Sequence, residues 1–268
     1  MTQGDGSDWG PVVSEVYSAE AASYRDLWAP LLLPHGRELL AALALDRTAR
    51  VLDVGCGCGT LLGSIRQSVP EGFVVGVDRA AGMLALAPPE FPRAVMNGGR
   101  LGFAAGAFDS AVAVFVLFHT ADPGQVLREI RRVLRPGGNL GTTTWGSDPG
   151  FPAHRAWLEE LDACGATADP VRMTDYEPVR TPERMRKLLE AAGFESVRTW
   201  TRPFGHLFTV DEFLTLRTQH GSSARRFASL GSAAKSRLLD RARRRLLGMD
   251  PGGLFDDTPV LSAVAEAG

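Results

Sequence analysis

Residues 51–60 read VLDVGCGCGT, and this stretch decides the fold. An apolar run broken only by Asp53 leads directly into three glycines at alternate positions, and a helical pattern follows at 61–68. A strand that turns through glycines into a helix brings bare backbone close to a ligand. The spacing is G-x-G-x-G, whereas dinucleotide loops have G-x-G-x-x-G. The carboxylate of Asp53 would repel a diphosphate and favours a ligand that carries an ammonium or sulfonium charge.

A second acidic residue, Asp78, ends the next apolar run along the chain, which covers residues 73–78. It follows Gly59 by 19 residues, close to the interval at which an acidic side chain commonly receives the hydroxyls of an adenosine ribose. Carboxylate oxygens accept both of those hydrogen bonds at once. The loop and Asp78 together indicate a site for a positively charged nucleoside.

Short apolar runs alternate with helical patterns from residue 50 onward, which is typical of successive βα units. We therefore expect an α/β fold with a Rossmann-like, mostly parallel sheet that is covered by helices on both faces. The predicted strands are Val51–Val54, Phe73–Asp78, Arg93–Met96, Ser110–Phe118, Asn139–Trp145, Ser196–Thr201 and Pro259–Ala265.

Helix boundaries and two irregular stretches complete the predicted organisation. Capping sequences predict helices after Asp122, Thr181 and Thr209. Residues 1–33 are predicted to form a helical lid, with a further helix at 36–45, and residues 34–268 a single α/β domain. The stretches 146–180 and 204–257 break the βα alternation and lie beside strand ends, so we expect them to cover the substrate.

Composition excludes several function classes. The chain has 268 residues, 44% of them hydrophobic and 22% charged, with a net charge of −2, as in soluble globular proteins. We expect no nucleic-acid partner, because the arginine run at 237–245 has an apolar stripe and reads as a solvated helix face. We also expect no membrane segment, no metal site at Cys56 and Cys58, and a cytoplasmic location. The oligomeric state stays open.

The chain resembles class I S-adenosylmethionine-dependent methyltransferases, of the branch that acts on small molecules and includes the ubiquinone and menaquinone methyltransferases. The resemblance rests on the glycine loop, on residues 75–78 (VGVD), on Phe108-Asp109 before the fourth strand and on residues 134–138 (LRPGG). It implies seven strands in the order 3-2-1-4-5-7-6 with the last antiparallel. It also implies S-adenosylmethionine as cofactor and methyl transfer to an O, N or C atom of a small organic acceptor.

The resemblance implies roles for particular residues. Asp78, followed by Arg79, would hold the ribose, and Met83 would pack on the adenine. Asn97 and Gly98 stand where the family often has Gly-Asp, and the carbonyl of Asn97 can still accept from the adenine amino group. The methionine end of the cofactor would be held by the loop and its surroundings, which means Asp53, Gly55, Cys56, Gly57 and the backbone near Phe115. Tyr17 of the lid would either close over that end or line the acceptor pocket.

His119 is the candidate general base, because it closes the predicted fourth strand beside the expected methyl position. The alternative is that His119 only packs and caps the following helix. Tyr24 and Trp28 either close over the cofactor or pack on the core, and the aromatic residues around the two irregular stretches favour an apolar or aromatic acceptor.

Three other functions are consistent with the same residues. The protein could bind S-adenosylmethionine and catalyse a cyclisation or an elimination, in which the sulfonium group supplies only charge or a different leaving group. It could be an oxidoreductase linked to a nicotinamide dinucleotide, although the glycine spacing argues against this. It could also be a binding module without enzymatic activity.

Overall fold

A seven-stranded sheet forms the centre of the protein in the computed structural model, which describes residues 10–147, 150–171 and 176–268. Its order is β3-β2-β1-β4-β5-β9-β6. The strands β1 to β5 pair in parallel, and β9 runs antiparallel to both β5 and β6. Counted in chain order within this sheet, the arrangement is 3-2-1-4-5-7-6 with the last strand antiparallel, so the predicted fold is confirmed. The strands are β1 (Arg50–Val54), β2 (Phe73–Asp78), β3 (Arg93–Val95), β4 (Phe108–Val114), β5 (Leu134–Trp145), β6 (Phe194–Pro203), β7 (His206–Leu207), β8 (Phe255–Asp256) and β9 (Pro259–Ala267).

Helices cover both faces of the sheet, and the caps that the sequence predicted are present. Asp122 accepts the N–H of Gln125, and Thr181 accepts the N–H of Arg184. Thr209 forms a complete capping box. The helices are α1 (Gly10–Ala19), α2 (Ala21–Ser23), α3 (Ala29–Leu43), α4 (Leu62–Ser68), α5 (Ala81–Ala85), α6 (Pro123–Val133), α7 (Pro152–Ala163), α8 (Pro182–Ala191), α9 (Val210–Gln219), α10 (Gly221–Ala228) and α11 (Ser232–Leu247).

The fourth strand ends earlier than predicted, and this corrects the position of His119. β4 stops at Val114, and Phe115 has a φ of +57°. A left-handed residue turns the chain out of the sheet. A short 3₁₀ turn then covers Leu117–His119. His119 therefore lies on a turn above the sheet, and the prediction that it closes the strand was wrong.

The lid and the sheet domain join within a helix. We predicted a separate helix at 36–45, but α3 runs without a break from Ala29 to Leu43 and contains Pro34. It ends at Ala44, which has a φ of +46°. Before it, Tyr24–Trp28 form a π-helical turn in which the N–H of Ala29 donates to the carbonyl of Tyr24. Such turns are rare and are often found at functional sites.

Several strand ends also differ from the predicted ones. β5 begins at Leu134, directly after α6, and its pairing with β4 shifts between Phe108 and Ser110. β6 begins at Phe194 and contains an irregularity around Ser196, whose φ is +51°. Bulges of this kind cannot be predicted from alternation of apolar and polar residues, because the extra residue interrupts the alternation.

The two irregular stretches lie beside the carboxyl ends of the strands. The first contributes α7, and the second contributes α9, α10 and α11. Positions 148–149 and 172–175 of the first stretch, like residues 1–9 of the predicted lid, lie outside the described residues. The arginine run on α11 is exposed as predicted, and it forms ion pairs with neighbouring helices, for example Arg241 with Glu160 and Arg243 with Asp211. Within the described part of the chain, every helix is too short or too polar to cross a membrane.

Candidate functional site

The glycine loop begins where β1 leaves the sheet. Gly55, Gly57 and Gly59 have φ values of +74°, +55° and +73°, a region that side chains with a Cβ rarely adopt. The N–H of Gly55 donates to the carbonyl of Val77 at 2.7 Å, which fastens the loop to β2. A Cβ on Gly55 would lie 2.3 Å from a methyl group of Val116. The loop therefore needs glycine both for its backbone angles and for its close contact with the chain after β4.

Asp78 holds the other side of this loop. Its Oδ2 accepts the N–H of Gly57 at 2.8 Å, and its Oδ1 accepts the N–H of Ala80 at 2.7 Å. Burial raises the pKa of Asp78, and the hydrogen bonds from the backbone partly oppose this rise. Each carboxylate oxygen keeps a second lone pair for a ligand. The side chain is thus fixed in place with capacity for further donors such as hydroxyl groups.

A cavity of about 320 Å³, here called the loop cavity, opens beside Asp78 and the glycine loop. Its floor includes Met83, which is 3% exposed and whose methyl group would lie 3.1 Å from a Cβ on Gly57. Asn97 is on the opposite side, and its Oδ1 already accepts the N–H of Gly99 at 3.0 Å. The residues predicted to contact the cofactor that line this cavity are Tyr17, Gly55, Gly57, Asp78, Arg79, Met83, Asn97, Gly98 and Phe115.

The other two predicted cofactor residues, Asp53 and Cys56, line a separate space of about 50 Å³ behind the loop, here called the rear cavity. Asp53 is 2% exposed, and among the described residues its Oδ2 has no hydrogen-bond partner. Burial raises the pKa of Asp53 to about 7, and the negative charge of Asp78 adds to this. Burial also raises the pKa of the Cys56 thiol, so Cys56 stays neutral and fills space.

A third cavity, of about 390 Å³, lies between the lid and the two irregular stretches. Half of the residues that line it carry an aromatic or imidazole ring, and we call it the aromatic cavity. Its walls include Trp28 and Trp145, whose rings stack at 6.0 Å, and Phe118 and Tyr176, whose rings stack at 4.8 Å. The lid, α7 and the segment from α9 to α10 all contribute residues to it.

The three cavities meet at two side chains, Tyr24 and Phe115, which line all of them. Two more residues, Tyr17 and His119, line both the loop cavity and the aromatic cavity. Tyr24 is a junction residue that was not among the predicted cofactor residues. The helical spacing of Tyr24 from Tyr17 and Trp28 was the signal available in the sequence. Nothing in the sequence indicates the π-helical turn, Tyr24–Trp28, that directs its ring to this point.

His119 and Tyr17 contact each other at the boundary between these two cavities. The Oη of Tyr17 lies 2.8 Å from the Nε2 of His119, and the rings meet edge to face with centroids 5.1 Å apart. Burial raises the pKa of Tyr17 well above 10, so its hydroxyl stays protonated and can donate to Nε2 when the imidazole carries its proton on Nδ1. Tyr17 and His119 are thus placed together for proton transfer at the boundary, which both residues line.

The other histidines have different surroundings, and among them His220 contacts the ring of Tyr24 with centroids 5.6 Å apart. His154 and His220 line the aromatic cavity, and burial lowers the pKa of both, to about 3 for His154, so they are neutral at pH 7. His35 is buried and stacks on Phe204 at 5.5 Å. His206 pairs with Glu212 at 2.8 Å. The structure therefore assigns packing or ion-pair positions to the latter two histidines.

The donor set fits S-adenosylmethionine better than a dinucleotide. The unpartnered Oδ2 of Asp53 in the rear cavity matches an ammonium group, and a diphosphate there would meet a buried carboxylate. Asp78 and Met83 in the loop cavity suit a ribose and a flat apolar base. The volume beside Gly57 would be reduced by any Cβ at that position.

Comparisons with known proteins agree with this fit. Residues 52–141 match the family model described as a methyltransferase domain. The chain is 30% identical over 206 residues to demethylmenaquinone methyltransferase of Roseiflexus sp. (strain RS-1), and the match covers 69% of this chain and 86% of that protein. Matches to two further curated relatives cover only 34% and 54% of the lengths of those proteins.

Solved structures share the fold. A methyltransferase of Thermotoga maritima, described as dependent on S-adenosylmethionine and as a possible histamine N-methyltransferase, has a TM-score of 0.59 at 13% identity and covers 96% of this chain and 100% of its own. The [4+2]-cyclase SpnF has a TM-score of 0.53 at 22% identity, covering 85% of this chain and 78% of its own. From its relatives, its sheet order and its loop, the chain belongs to the class I S-adenosylmethionine-dependent methyltransferases, with S-adenosylmethionine as its cofactor.

Proposed function

We propose that this protein transfers a methyl group from S-adenosylmethionine to an O, N or C atom of a small organic acceptor in the aromatic cavity. One observation carries the proposal: three cavities meet at Tyr24 and Phe115. The cofactor sulfur has three substituents, which are the adenosyl group, the methionine chain and the methyl group. A sulfur at this meeting point would direct one substituent into each cavity, with the methyl group toward the acceptor.

Particular residues would hold each part of the cofactor. Asp78, with Arg79 beside it, takes the ribose, and the adenine lies between Met83 and the Asn97–Gly98 backbone. Because Asn97 Oδ1 already accepts from Gly99, that oxygen would share its second lone pair with an adenine amino group.

The methionine end is assigned to the rear cavity. Asp53 takes the ammonium group there, and the backbone from Gly55 to Gly57, including Cys56, borders it. Phe115 and the lid residue Tyr17 close the site on the side of the acceptor. The electron-rich ring faces of tyrosine and phenylalanine also attract a cation such as a sulfonium group.

Proton removal is assigned to Tyr17 and His119 acting together. Bound S-adenosylmethionine supplies a methyl group that is already activated by the positive charge on sulfur. Tyr17 accepts the proton of the acceptor at Oη while it gives its own proton to Nε2 of His119, since these atoms are 2.8 Å apart. This modifies the prediction from sequence, in which His119 was the direct base.

Incubation with S-adenosylmethionine and a panel of acceptors, followed by mass spectrometry, tests the function. Methyl transfer gives a product heavier by one methyl group less one hydrogen, and S-adenosylhomocysteine in equal amount. Calorimetry with both forms of the cofactor should show binding. Tight binding of a nicotinamide dinucleotide, with no binding of either form, would contradict the proposal and favour an oxidoreductase. Cofactor binding without turnover on any acceptor would favour a binding module.

A second candidate is a cyclisation or elimination that needs bound S-adenosylmethionine but no methyl transfer. It is favoured by the likeness in fold to SpnF, a protein named as a [4+2]-cyclase. The same incubation separates the two reactions, because a cyclised product keeps the mass of its precursor and no S-adenosylhomocysteine forms.

A cytoplasmic location and a small-molecule partner complete the proposal. The cytoplasmic location is supported by the three free cysteines, Cys56, Cys58 and Cys164, which fit a reducing compartment. The volume of the aromatic cavity is that of a small-molecule site.

A further inference from the structure

His220 lies on the wall of the aromatic cavity, between the lid and the start of α10. The ring of Tyr24 meets its imidazole edge to face with centroids 5.6 Å apart, and the indole of Trp28 stacks on it at 6.5 Å. The side chain of His220 keeps 11% of its surface exposed. Contacts with two rings of the lid therefore orient the imidazole, while part of it remains accessible to a ligand in the cavity.

The lid also contacts one nitrogen of this imidazole. Nδ1 lies 3.2 Å from Oγ of Ser23 and 3.6 Å from Oε2 of Glu20. The hydroxyl of Ser23 donates to the backbone carbonyl of Glu20 at 3.0 Å, so its oxygen is left to accept. The carboxylate of Glu20 is ion-paired with Arg225 and only accepts hydrogen bonds. Two accepting oxygens beside Nδ1 favour the tautomer that carries its proton there.

The second nitrogen, Nε2, is left for a ligand. In the part of the chain that the structure describes, no group hydrogen-bonds to it. Burial lowers the pKa of His220; the charge of Glu20 opposes this, and those of Arg225 and Arg217 add to it, so the imidazole is neutral at pH 7. A neutral imidazole with its proton on Nδ1 has a lone pair on Nε2. A ligand that covers this lone pair without a donor leaves it unpaired, which costs free energy.

The other imidazole of the aromatic cavity differs in this respect. Nδ1 of His154 is buried and has no hydrogen-bond partner among the described residues, and its ring stacks on Phe151 at 6.0 Å. No contact therefore selects one tautomer of His154. His220 is the histidine of this cavity whose surroundings favour one tautomer and direct its lone pair.

A second polar point lies at the boundary with the loop cavity, where Tyr17 and His119 are 2.8 Å apart. The ring of Tyr24 contacts both places, since its centroid is 5.8 Å from that of Tyr17 and 5.6 Å from that of His220. His220 lines the aromatic cavity but not the loop cavity. Of the two polar points, the one at Tyr17 therefore adjoins the expected methyl position, and the one at His220 lies within the space for the methyl acceptor.

We infer that Nε2 of His220 accepts a hydrogen bond from an O–H or N–H group of the methyl acceptor other than the group that is methylated. The inference rests on the proposed function, to which it adds a residue that selects and orients the methyl acceptor. His220 takes no proton in the reaction, and Tyr17 with His119 keeps that role. A compound without the second donor binds more weakly, because it leaves the lone pair of His220 unpaired.

Nitrogen-15 NMR of protein labelled at its five histidines tests the tautomer directly. Long-range proton–nitrogen correlations show which ring nitrogen carries the proton, and comparison with His220→Gln identifies the signals of His220. At pH 7.5 and without cofactor, we expect the proton on Nδ1 and a lone pair on Nε2. A proton on Nε2, or a charged imidazole, would overturn the inference.

Binding of three small probes to the complex of the full chain with S-adenosylhomocysteine tests the hydrogen bond. Indole and 3-methylindole have an N–H donor, whereas 1-methylindole has the size of 3-methylindole and no donor. Isothermal titration should show the two donors binding about fivefold more tightly than 1-methylindole. Indole should also shift the Nε2 signal of His220. Equal binding of all three probes, or binding of none, would overturn the inference.

Three variants locate the donor preference. His220→Phe keeps a flat ring and removes the lone pair, so it should abolish the preference and leave the affinity for 1-methylindole nearly unchanged. His220→Gln can place an amide oxygen near the position of Nε2 and should retain part of the preference. His154→Phe is the matched change in the same cavity and should retain the full preference. Loss of the preference in His154→Phe, with retention in His220→Phe, would overturn the inference.

Titration of wild-type protein with S-adenosylhomocysteine separates this inference from the proposed function. If S-adenosylhomocysteine binds but the probes show no donor preference, the role of His220 is wrong and the proposed function stands. If neither cofactor form binds, the proposed function fails, and the role of His220 in holding a methyl acceptor fails with it. The tautomer is read without cofactor, so that result does not depend on the outcome of the titration.

Discussion

The hydroxyl of Tyr17 lies 2.8 Å from Nε2 of His119, although 102 positions separate the two residues in the chain. One belongs to the lid helix α1, and the other to the turn that follows β4. The contact exists only while the lid rests on the sheet domain. The pair that we propose to remove the proton is therefore assembled only where α1 packs against the turn after β4.

The variant Tyr17→Phe tests this pair. It keeps the ring and removes the hydroxyl, so kcat should fall by about 100-fold, in the range for a general base. His119→Ala should cause a similar loss, and the double variant should lose little more, because either change interrupts the same path. The kinetic constants of the three variants and their affinities for S-adenosylhomocysteine are the measurements. Independent, multiplying losses would contradict a shared path.

The variant Asp53→Asn should change stability in a way that depends on pH. Burial raises the pKa of Asp53 in the folded protein from 3.8 to about 7. The folded state therefore holds this proton more tightly than the unfolded chain, and the resulting stability is fully present below pH 4 and lost as pH rises through about 7. Without cofactor, the variant should thus gain on wild type by up to about 4 kcal/mol at pH 8.5 relative to pH 4.

Urea unfolding at the two pH values measures this difference. The ammonium group of the cofactor favours the ionised carboxylate, so wild type should bind S-adenosylhomocysteine more tightly as pH rises from 6 to 8. Asp53→Asn should bind it more weakly and lose that part of the pH dependence. A stability difference that does not change with pH would show that Asp53 is ionised in the folded protein throughout.

The variant Asp78→Asn should weaken cofactor binding. An amide offers one acceptor and one donor, so it cannot accept from the N–H groups of both Gly57 and Ala80. We expect the affinity for S-adenosylhomocysteine to fall about 30-fold, as for loss of a charged hydrogen bond. Asp109→Asn is the control, because Asp109 also accepts a backbone N–H, from Arg50, at the opposite end of the sheet. Equal losses in both variants would indicate a general effect on folding.

Two alanine variants, Gly55→Ala and Gly63→Ala, compare a glycine that the loop geometry requires with a glycine that its helix does not require. A Cβ on Gly55 would lie 2.3 Å from Val116 at a φ of +74°, whereas a Cβ on Gly63 in α4 meets nothing within 4 Å. Gly55→Ala should destabilise the protein by about 2 kcal/mol or more. Gly63→Ala should stabilise it by about 0.5–1 kcal/mol, since alanine is the better helix former. Thermal unfolding measures both, and equal shifts would contradict the strain at Gly55.

Glu20 links the lid to α10 and should control the exchange of cofactor. Its carboxylate accepts the N–H of Gly221 at 3.1 Å and forms an ion pair with Arg225. Glu20→Gln should raise the dissociation rate of S-adenosylhomocysteine by about fivefold to tenfold, because the lid opens more readily. Glu15→Gln is the control on the exposed side of α1. Stopped-flow displacement measures the rates, and identical rates in the two variants would show that opening of the lid does not limit release.

The sheet and its ligand-binding edge could be predicted because local signals fixed them. The run at 51–60 contains a buried strand and three glycines that later show positive φ. Asp78 was placed correctly at the end of β2 by the length of one apolar run. Nine of the eleven residues predicted to contact the cofactor line one cavity. Eight of them lie in the loop or at and after the ends of parallel strands, whereas Tyr17 comes from the lid helix α1.

The junction of the cavities could not be predicted, because it depends on backbone irregularities without a sequence signal. Phe115 adopts a positive φ although it is not a glycine, and this ends β4 before the predicted position. The π-helical turn at Tyr24–Trp28 has an ordinary composition. α3 continues through Pro34, although a proline usually ends or kinks a helix. The contact between Tyr17 and His119 follows from all of these deviations together.

The π-helical turn holds one residue more than a regular helical turn would need. Deleting a single residue between positions 24 and 28 would restore ordinary winding and rotate everything before it by about 100° relative to α3. The face of α1 that carries Tyr17 would then point away from His119, and their contact would be lost. The one extra residue thus sets the angle between the lid and the site, and its deletion at 25–27 would take the pocket apart without changing a side chain that lines it.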